Sequence, residues 1–190
     1  DVIALYQKAA ELKEIEIEGI SCHIGSLVES TAPYMSEIEV LSVFVNELLD
    51  RGIALKHFDI GGGAGVAYKA DEKTLEPSEL IPAVVAQIRS LVKIPDIEIL
   101  IEPGRSIIAQ AGVLLTRVEY LKSGLFERNF CVVDASMTEL VRPAMYGSHH
   151  EIEPVSPRSD IEAERLNIVG GVCESSDILG SDRELAVAPG

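Results

Sequence analysis

Residues Ile53-Ala54-Leu55-Lys56-His57-Phe58-Asp59-Ile60-Gly61-Gly62-Gly63 decide the fold class. The apolar part reads as a strand within Ile53–Ile60, and three consecutive glycines close it. On its amino side, Met35–Arg51 carries Ile38, Leu41, Val45 and Leu48 at helical spacing, and Gly52 can terminate that helix. Ile15–Ile24, further upstream, is β-branched and apolar enough for a strand. On the carboxyl side, Leu80–Val92 shows a second helical stripe of Ile81, Val84, Val85, Ile88, Leu91 and Val92. Pro82 is expected near the start of this helix, because an interior proline removes a hydrogen bond and clashes with the preceding turn. A third strand, Ile97–Ile101, runs into Glu102-Pro103-Gly104-Arg105. Strands alternating with helices of this length imply βαβ units and a parallel sheet, hence an α/β fold. Three strands cannot close a barrel and would leave open edges, so only part of one is expected.

After Ala109 the rhythm changes. Gly112–Leu121, Phe130–Asp134 and Leu166–Cys173 read as strands, while Gly124, Pro143, Gly147, Pro154 and Pro157 punctuate the stretch. This pattern predicts a mostly β second domain. The boundary lies near residues 106–112, giving units of 1–108 and 109–190, both incomplete. No internal repeat is visible.

Bulk composition narrows the function classes. The 190 residues are 47% hydrophobic and 25% charged, enough for a real core and unlike a disordered chain. A net charge of -15 repels phosphate backbones and anionic lipid, which disfavours nucleic-acid and membrane partners. No apolar run reaches the roughly 20 residues that span a bilayer, and neither end resembles a signal peptide. The three cysteines, Cys22, Cys131 and Cys173, are far apart and form no CxxC pair. That argues against a disulfide framework or zinc site and suits a reducing, cytoplasmic setting. Cys22 and Cys131, in apolar runs, are expected to be buried packing residues.

The three predicted parallel strands each end in a polar or glycine motif: Cys22-His23-Ile24-Gly25-Ser26, Asp59-Ile60-Gly61-Gly62-Gly63 and Glu102-Pro103-Gly104-Arg105. The carboxyl ends of parallel strands are where α/β folds bind ligands, so this edge is the expected site. Each motif also has a plainer reading. The glycines could serve a tight turn or let backbone N–H groups approach a phosphate. His23 could be a core histidine or a ring that stacks on an aromatic ligand. Glu102 and Arg105 could be a surface ion pair or two side chains aimed at one ligand, Arg105 offering a planar fork. Arg142 and Tyr146 would share a face if Arg142–Tyr146 is helical. Cys173, beside Glu174 and Asp177, would hold its proton, since nearby negative charge disfavours a thiolate, and so suits a proton donor. His149-His150 is read as a solvated loop, with no metal site.

Together these segments, with Ala111–Val118, Val133-Asp134-Ala135 and Val172–Asp177, resemble the fold-type III pyridoxal-phosphate decarboxylases, in particular the branch acting on diaminopimelate. The resemblance implies the later part of a (β/α)8 barrel that binds pyridoxal 5'-phosphate, followed by the start of a mostly β domain. It implies His23 against the pyridoxal ring, Ser26 and Gly61, Gly62 and Gly63 at the phosphate, and Glu102 at the pyridine nitrogen. Pro103, Gly104 and Arg105 would complete that wall, with Arg105 also reaching substrate. Arg142, Tyr146 and Glu174 match positions that recognise the far end of an amino-acid substrate. Cys173 matches a proton donor contributed across a homodimer interface. Sister enzymes acting on ornithine, arginine or carboxynorspermidine, and a non-catalytic pyridoxal-phosphate-binding module, are the alternatives. Two departures stand out. No lysine lies in the context of the family's cofactor-anchoring lysine, so the chain alone is expected to be inactive, and Ser136 stands where glycine is usual.

Overall fold

The computed structural model describes residues 1–69, 71–125 and 128–190. It divides into two compact units, Asp1–Ala67 with Lys73–Gly112, and Tyr68–Glu72 with Val113–Gly190.

The first unit opens with helix α1 (Val2–Ala10), whose Asp1 side chain caps Ile3 N–H at 3.1 Å. Strands β1 (Gly19–Ser21), β2 (His57–Asp59) and β3 (Glu98–Leu100) form a parallel sheet in sequence order, with Ile20 opposite Phe58 and Phe58 opposite Ile99. Helices α2 (Ala32–Asp50) and α3 (Pro77–Leu91) make the crossovers. Tyr34, Ile38, Leu41, Val45 and Leu48 are the buried stripe of α2, and Leu80, Val84 and Ile88 that of α3. Both stripes pack with Ile20, Phe58, Ile60 and Ile97 into one core. Gly52, at φ +83, ends α2 as its sequence position predicts: Gly52 N–H donates to Leu49 O at 2.9 Å and Ile53 N–H to Leu48 O at 2.9 Å. These two bonds make a Schellman motif, in which the left-handed residue satisfies carbonyls that the helix leaves free. Asn46 ties α2 to the end of α3 by donating to Leu91 O and accepting from Lys93 N–H.

Two expectations in this unit need correction, and helix α1 was not among those the sequence predicted. The first strand covers Gly19–Ser21 and not Ile15–Ile24, since only that stretch pairs with β2. Helix α3 begins at Pro77, a proline suited to a helix start, so Pro82 sits in the helix interior. Helix α1 had no strong signature, because only Ile3 on it is fully buried.

The second unit is a four-stranded sheet in the order β4 (Val118–Lys122), β5 (Asn129–Val133), β6 (Glu164–Val169) and β7 (Ile178–Leu185). The β4–β5 and β6–β7 pairs are antiparallel and β5–β6 is parallel. Cys131, Val133, Leu166, Ile168, Leu179 and Leu185 form its core. Between β5 and β6 lies the short helix α5 (Val141–Tyr146), and a five-residue helix α4 (Gly104–Ile108) belongs to the first unit. The sequence pattern missed β7 and ran β6 on to Cys173; the strand ends at Val169, and residues 170–177 form the connection. Among the described residues no helix is long and apolar enough to cross a membrane.

Candidate functional site

In the first unit the carboxyl ends of β1, β2 and β3 interlock through main chain. Glu102 N–H donates to Gly61 O at 2.7 Å, Val28 N–H to Gly63 O at 2.9 Å, and Tyr34 Oη to Gly62 O at 3.0 Å. Asp59 Oδ1 accepts from Gly61 N–H at 2.8 Å, bending the chain immediately after the strand. Gly61 and Gly63 adopt φ of +64 and +93, a region open to glycine at little cost. A Cβ on Gly61 would strike Cys22 O, one on Gly62 would strike Glu102 O, and one on Gly63 would strike Gly25 O. The three glycines are therefore required by backbone packing against the neighbouring strand ends, whatever they also bind.

That packing sets His23. Its Nδ1 accepts from Gly62 N–H at 3.2 Å, leaving Nε2 as the proton-bearing nitrogen of the ring, while the side chain is exposed. Ser26 and Glu102 are also exposed on the same edge, and Pro103 and Arg105 are half-buried. Gly104 opens α4 with no atom within 4 Å of a notional Cβ. Glu102 and Arg105 form no ion pair with each other among the described residues. Instead, Arg105 Nη1 is buried without a hydrogen-bond partner. A sealed guanidinium nitrogen lacking an acceptor is suited to an anionic group. Lys56 and Lys93 lie elsewhere: Lys56 precedes β2 and is held by Glu16 and Glu18 at 2.6 and 2.9 Å, and Lys93 pairs with Asp50.

Sequence reasoning missed Glu37, on the buried face of α2 behind this edge. It is 6% exposed, and among the described residues neither carboxyl oxygen has a well-formed hydrogen bond, the Cys22 thiol beside it being at most a weak donor. Burial pushes its carboxyl above the usual range, opposed by the Cys22 thiol and His23 and reinforced by Asp59. Cys22 is half-buried and not sealed as expected, and its thiol is pushed up by burial and by Glu37. The signal was present: Glu37 sits between Tyr34 and Ile38 as the one charged residue of the buried stripe.

In the second unit, α5 places the Arg142 guanidinium over the Tyr146 ring, Cζ 5.3 Å from its centroid, as their spacing predicts. Gly147 (φ +61) caps the helix, and Ser148 Oγ then accepts from Arg142 Nη2 at 3.1 Å. Arg142 Nε is buried without a partner. His149 and His150 are half-buried, so the solvated-loop reading is corrected. Arg183 on β7 reaches both, with Nη1 3.0 Å from His149 Nε2 and Nη2 donating to His150 O at 2.9 Å. Burial, then the positive charge of Arg142, His149 and Arg183, pulls His150 below the ordinary histidine range. Tyr68 meets the His150 ring edge-on at 5.4 Å. Cys131 is buried, as expected. Cys173 and Glu174 are exposed in the β6–β7 connection. No metal-binding cluster occurs among the described residues. Ser136, where glycine was expected, bonds its hydroxyl to Glu139 Oε2 at 2.8 Å within the turn leading to α5.

Residues 1–109 match the family described as "Pyridoxal-dependent decarboxylase, pyridoxal binding domain". Diaminopimelate decarboxylase of Pseudomonas aeruginosa is 42% identical over 98% of this chain, and that of Vibrio cholerae is 41% identical over 98%. The chain spans 43% of the length of each of these two relatives. The crystal structure of diaminopimelate decarboxylase from M. jannaschii in co-complex with L-lysine superposes with a TM-score of 0.89 at 34% identity, covering 100% of this chain and 43% of that one. The Helicobacter pylori enzyme complexed with L-lysine gives 0.87 at 32% identity, covering 100% and 45%. The match extends over more than half of the residues, so the chain belongs to the pyridoxal-dependent decarboxylase family.

Proposed function

We propose that the full-length protein decarboxylates meso-2,6-diaminopimelate to L-lysine and CO2. What carries this reading is the convergence of His23, Gly61–Gly63 and Glu102–Arg105 on one sheet edge of a chain in a pyridoxal-dependent family, with diaminopimelate decarboxylases at about 40% identity as its relatives. The residues present fit the cofactor. The exposed His23 ring, oriented by Gly62 N–H, offers a flat face, and the unpartnered Arg105 Nη1 calls for an anion. His23, Ser26, Gly61–Gly63 and Glu102–Arg105 would hold pyridoxal phosphate. When bound, it supplies a ring that accepts the electron pair released as the carbon–carboxylate bond breaks.

The remaining roles fall to this chain's own side chains. Glu102 holds a proton on the pyridine nitrogen. Arg142, kept planar over Tyr146 and braced by Ser148, binds the distal carboxylate, and Glu174 binds the distal ammonium. A site built around a charged group rejects analogues lacking it, because its own polar groups are then left unpaired. Cys173 delivers a proton to the carbon that has lost CO2.

In this reading residues 1–108 are later βα units of the barrel and 109–190 the first part of a β domain. Cys173 and Glu174, exposed on their connection, would serve the site of a second copy in a cytoplasmic homodimer. The test is CO2 release by the full-length protein from a panel of diaminopimelate, ornithine, arginine and carboxynorspermidine. Diaminopimelate should be preferred; preference for ornithine would overturn the assignment. Cys173→Ala should slow turnover strongly, and an unchanged rate would remove the proton-donor role.

A further inference from the structure

At the base of the connection from β6 to β7, where Val169 pairs with Ile178, Asp177 ties the segments together. Asp177 is 3% exposed, and its main-chain carbonyl accepts from Gly170 N–H at 3.2 Å. Its side-chain Oδ2 accepts from Val172 N–H at 2.8 Å, one residue before Cys173. Its Oδ1 crosses to another segment and accepts from Met137 N–H at 2.6 Å, in the turn that leads to α5 and Arg142.

The surroundings are shaped to this carboxylate. A Cβ on Gly170 would strike Asp177 Oδ2 and lie 2.6 Å from Ser136 Cα and 2.7 Å from Ala135 O, so only glycine lets the segments close on it. Above the base, Glu174 N–H donates to Val172 O at 2.8 Å and Asp177 N–H to Glu174 O at 3.1 Å. The tip is thus a small main-chain framework hung from Asp177. An ionised carboxylate presents two acceptors and no donor, which matches two N–H groups arriving from different segments.

We propose that Asp177 is a positioning residue for the decarboxylation: by bridging Val172 and Met137 it fixes the Cys173-Glu174 tip and the entrance to α5 in one geometry. This rests on the reading of Cys173 as proton donor and Arg142 as substrate anchor. Asp177 itself touches neither substrate nor cofactor in this scheme. Its contribution is the placement of the thiol, where an error of 1 Å costs about a hundredfold in rate.

The test uses Asp177→Asn in the full-length enzyme, a change that keeps volume and opposes an amide NH2 to one of the two N–H groups. With diaminopimelate, kcat should fall by about a hundredfold, while bound-cofactor absorbance is retained. In a Cys173→Ala background the same substitution should cost less than about threefold, because the group it positions is gone. Equal losses in both backgrounds would mean a general structural effect and would overturn the proposal. If Cys173→Ala alone leaves turnover unchanged, the proton-donor reading fails separately. Positioning is then decided by alkylation of Cys173 with iodoacetamide: a several-fold rate change on Asp177→Asn supports it, and an unchanged rate refutes it. Should the variant not fold, hydrogen exchange on the wild-type enzyme decides. Val172 and Met137 amides should exchange as slowly as those of β6, and exchange at loop rates would sink the bridge.

Discussion

Replacing Glu37 by methionine should stabilise the protein, and the gain should depend on pH. Glu37 faces the core from α2 at 6% exposure, and both carboxyl oxygens are sealed without a well-formed hydrogen bond. A buried polar group left unsatisfied costs about 1–3 kcal/mol. Methionine has nearly the same length and volume and carries no group needing a hydrogen bond, so most of that cost should be recovered. The melting temperature should rise accordingly, since a gain in stability divided by the unfolding entropy is the shift in midpoint. The pH dependence follows from the raised carboxyl, whose largest cause is burial. Below the ordinary carboxylate range both folded and unfolded states are protonated, and the wild type suffers only the lost hydrogen bonds. As pH rises, the unfolded state ionises first while the folded state keeps its proton, so the wild type loses stability until the folded carboxyl also ionises. The groups facing Glu37, namely Cys22, Tyr34, His23 and Asp59, are unchanged in the variant. Thermal unfolding of full-length wild type and Glu37→Met, followed by circular dichroism at pH 4 and pH 7, should show the larger gain at pH 7. A variant less stable than wild type, or an equal gain at both values, would refute the reasoning.

Other outcomes follow from the geometry. In the proposed reading, where Arg142 anchors the substrate, Arg142→Lys removes the planar group stacked 5.3 Å over Tyr146 and should raise KM for diaminopimelate at least about tenfold with a smaller effect on kcat, read by steady-state kinetics. Pro82→Ala restores a helix N–H in the interior of α3 and should stabilise the protein by about 1 kcal/mol or more in urea unfolding. Gly62→Ala drives a methyl against Glu102 O and should abolish the cofactor absorbance of the full-length protein, read by spectroscopy of the purified variant. Lys56→Met breaks only exposed pairs with Glu16 and Glu18 and should leave the thermal unfolding midpoint essentially unchanged.

Periodicity carried the first unit because its chemistry is local. Ile38, Leu41, Val45 and Leu48 recur at helical spacing and are buried, and Gly52 stops the helix by its own left-handed φ. Strand lengths were not legible, since Ile15–Glu18 is as strand-like in composition as Gly19–Ser21 and only pairing with β2 distinguishes them. Pro82 misled because Pro77, an equally good helix start, lay five residues earlier. On the candidate site, the strand-end motifs and the Arg142–Tyr146 spacing could be read directly. Arg183 and Asp177 could not, because their meaning comes from partners distant in sequence, His149 and Met137. The pair His149-His150 looked solvated because nothing in its neighbourhood reveals the arginine that arrives from β7.

The glycine interlock has a consequence for how this edge can vary. At Arg142 or Glu174, substitution offers graded alternatives in charge and length, and selection can move through them stepwise. At Gly61, Gly62 and Gly63 the first added carbon already collides with main-chain oxygens of Cys22, Glu102 and Gly25, which no side-chain exchange can remove. The orientation of His23 is therefore inherited from an absence of atoms. Composition can drift where such graded changes are open, while this sheet edge is confined to a single spelling.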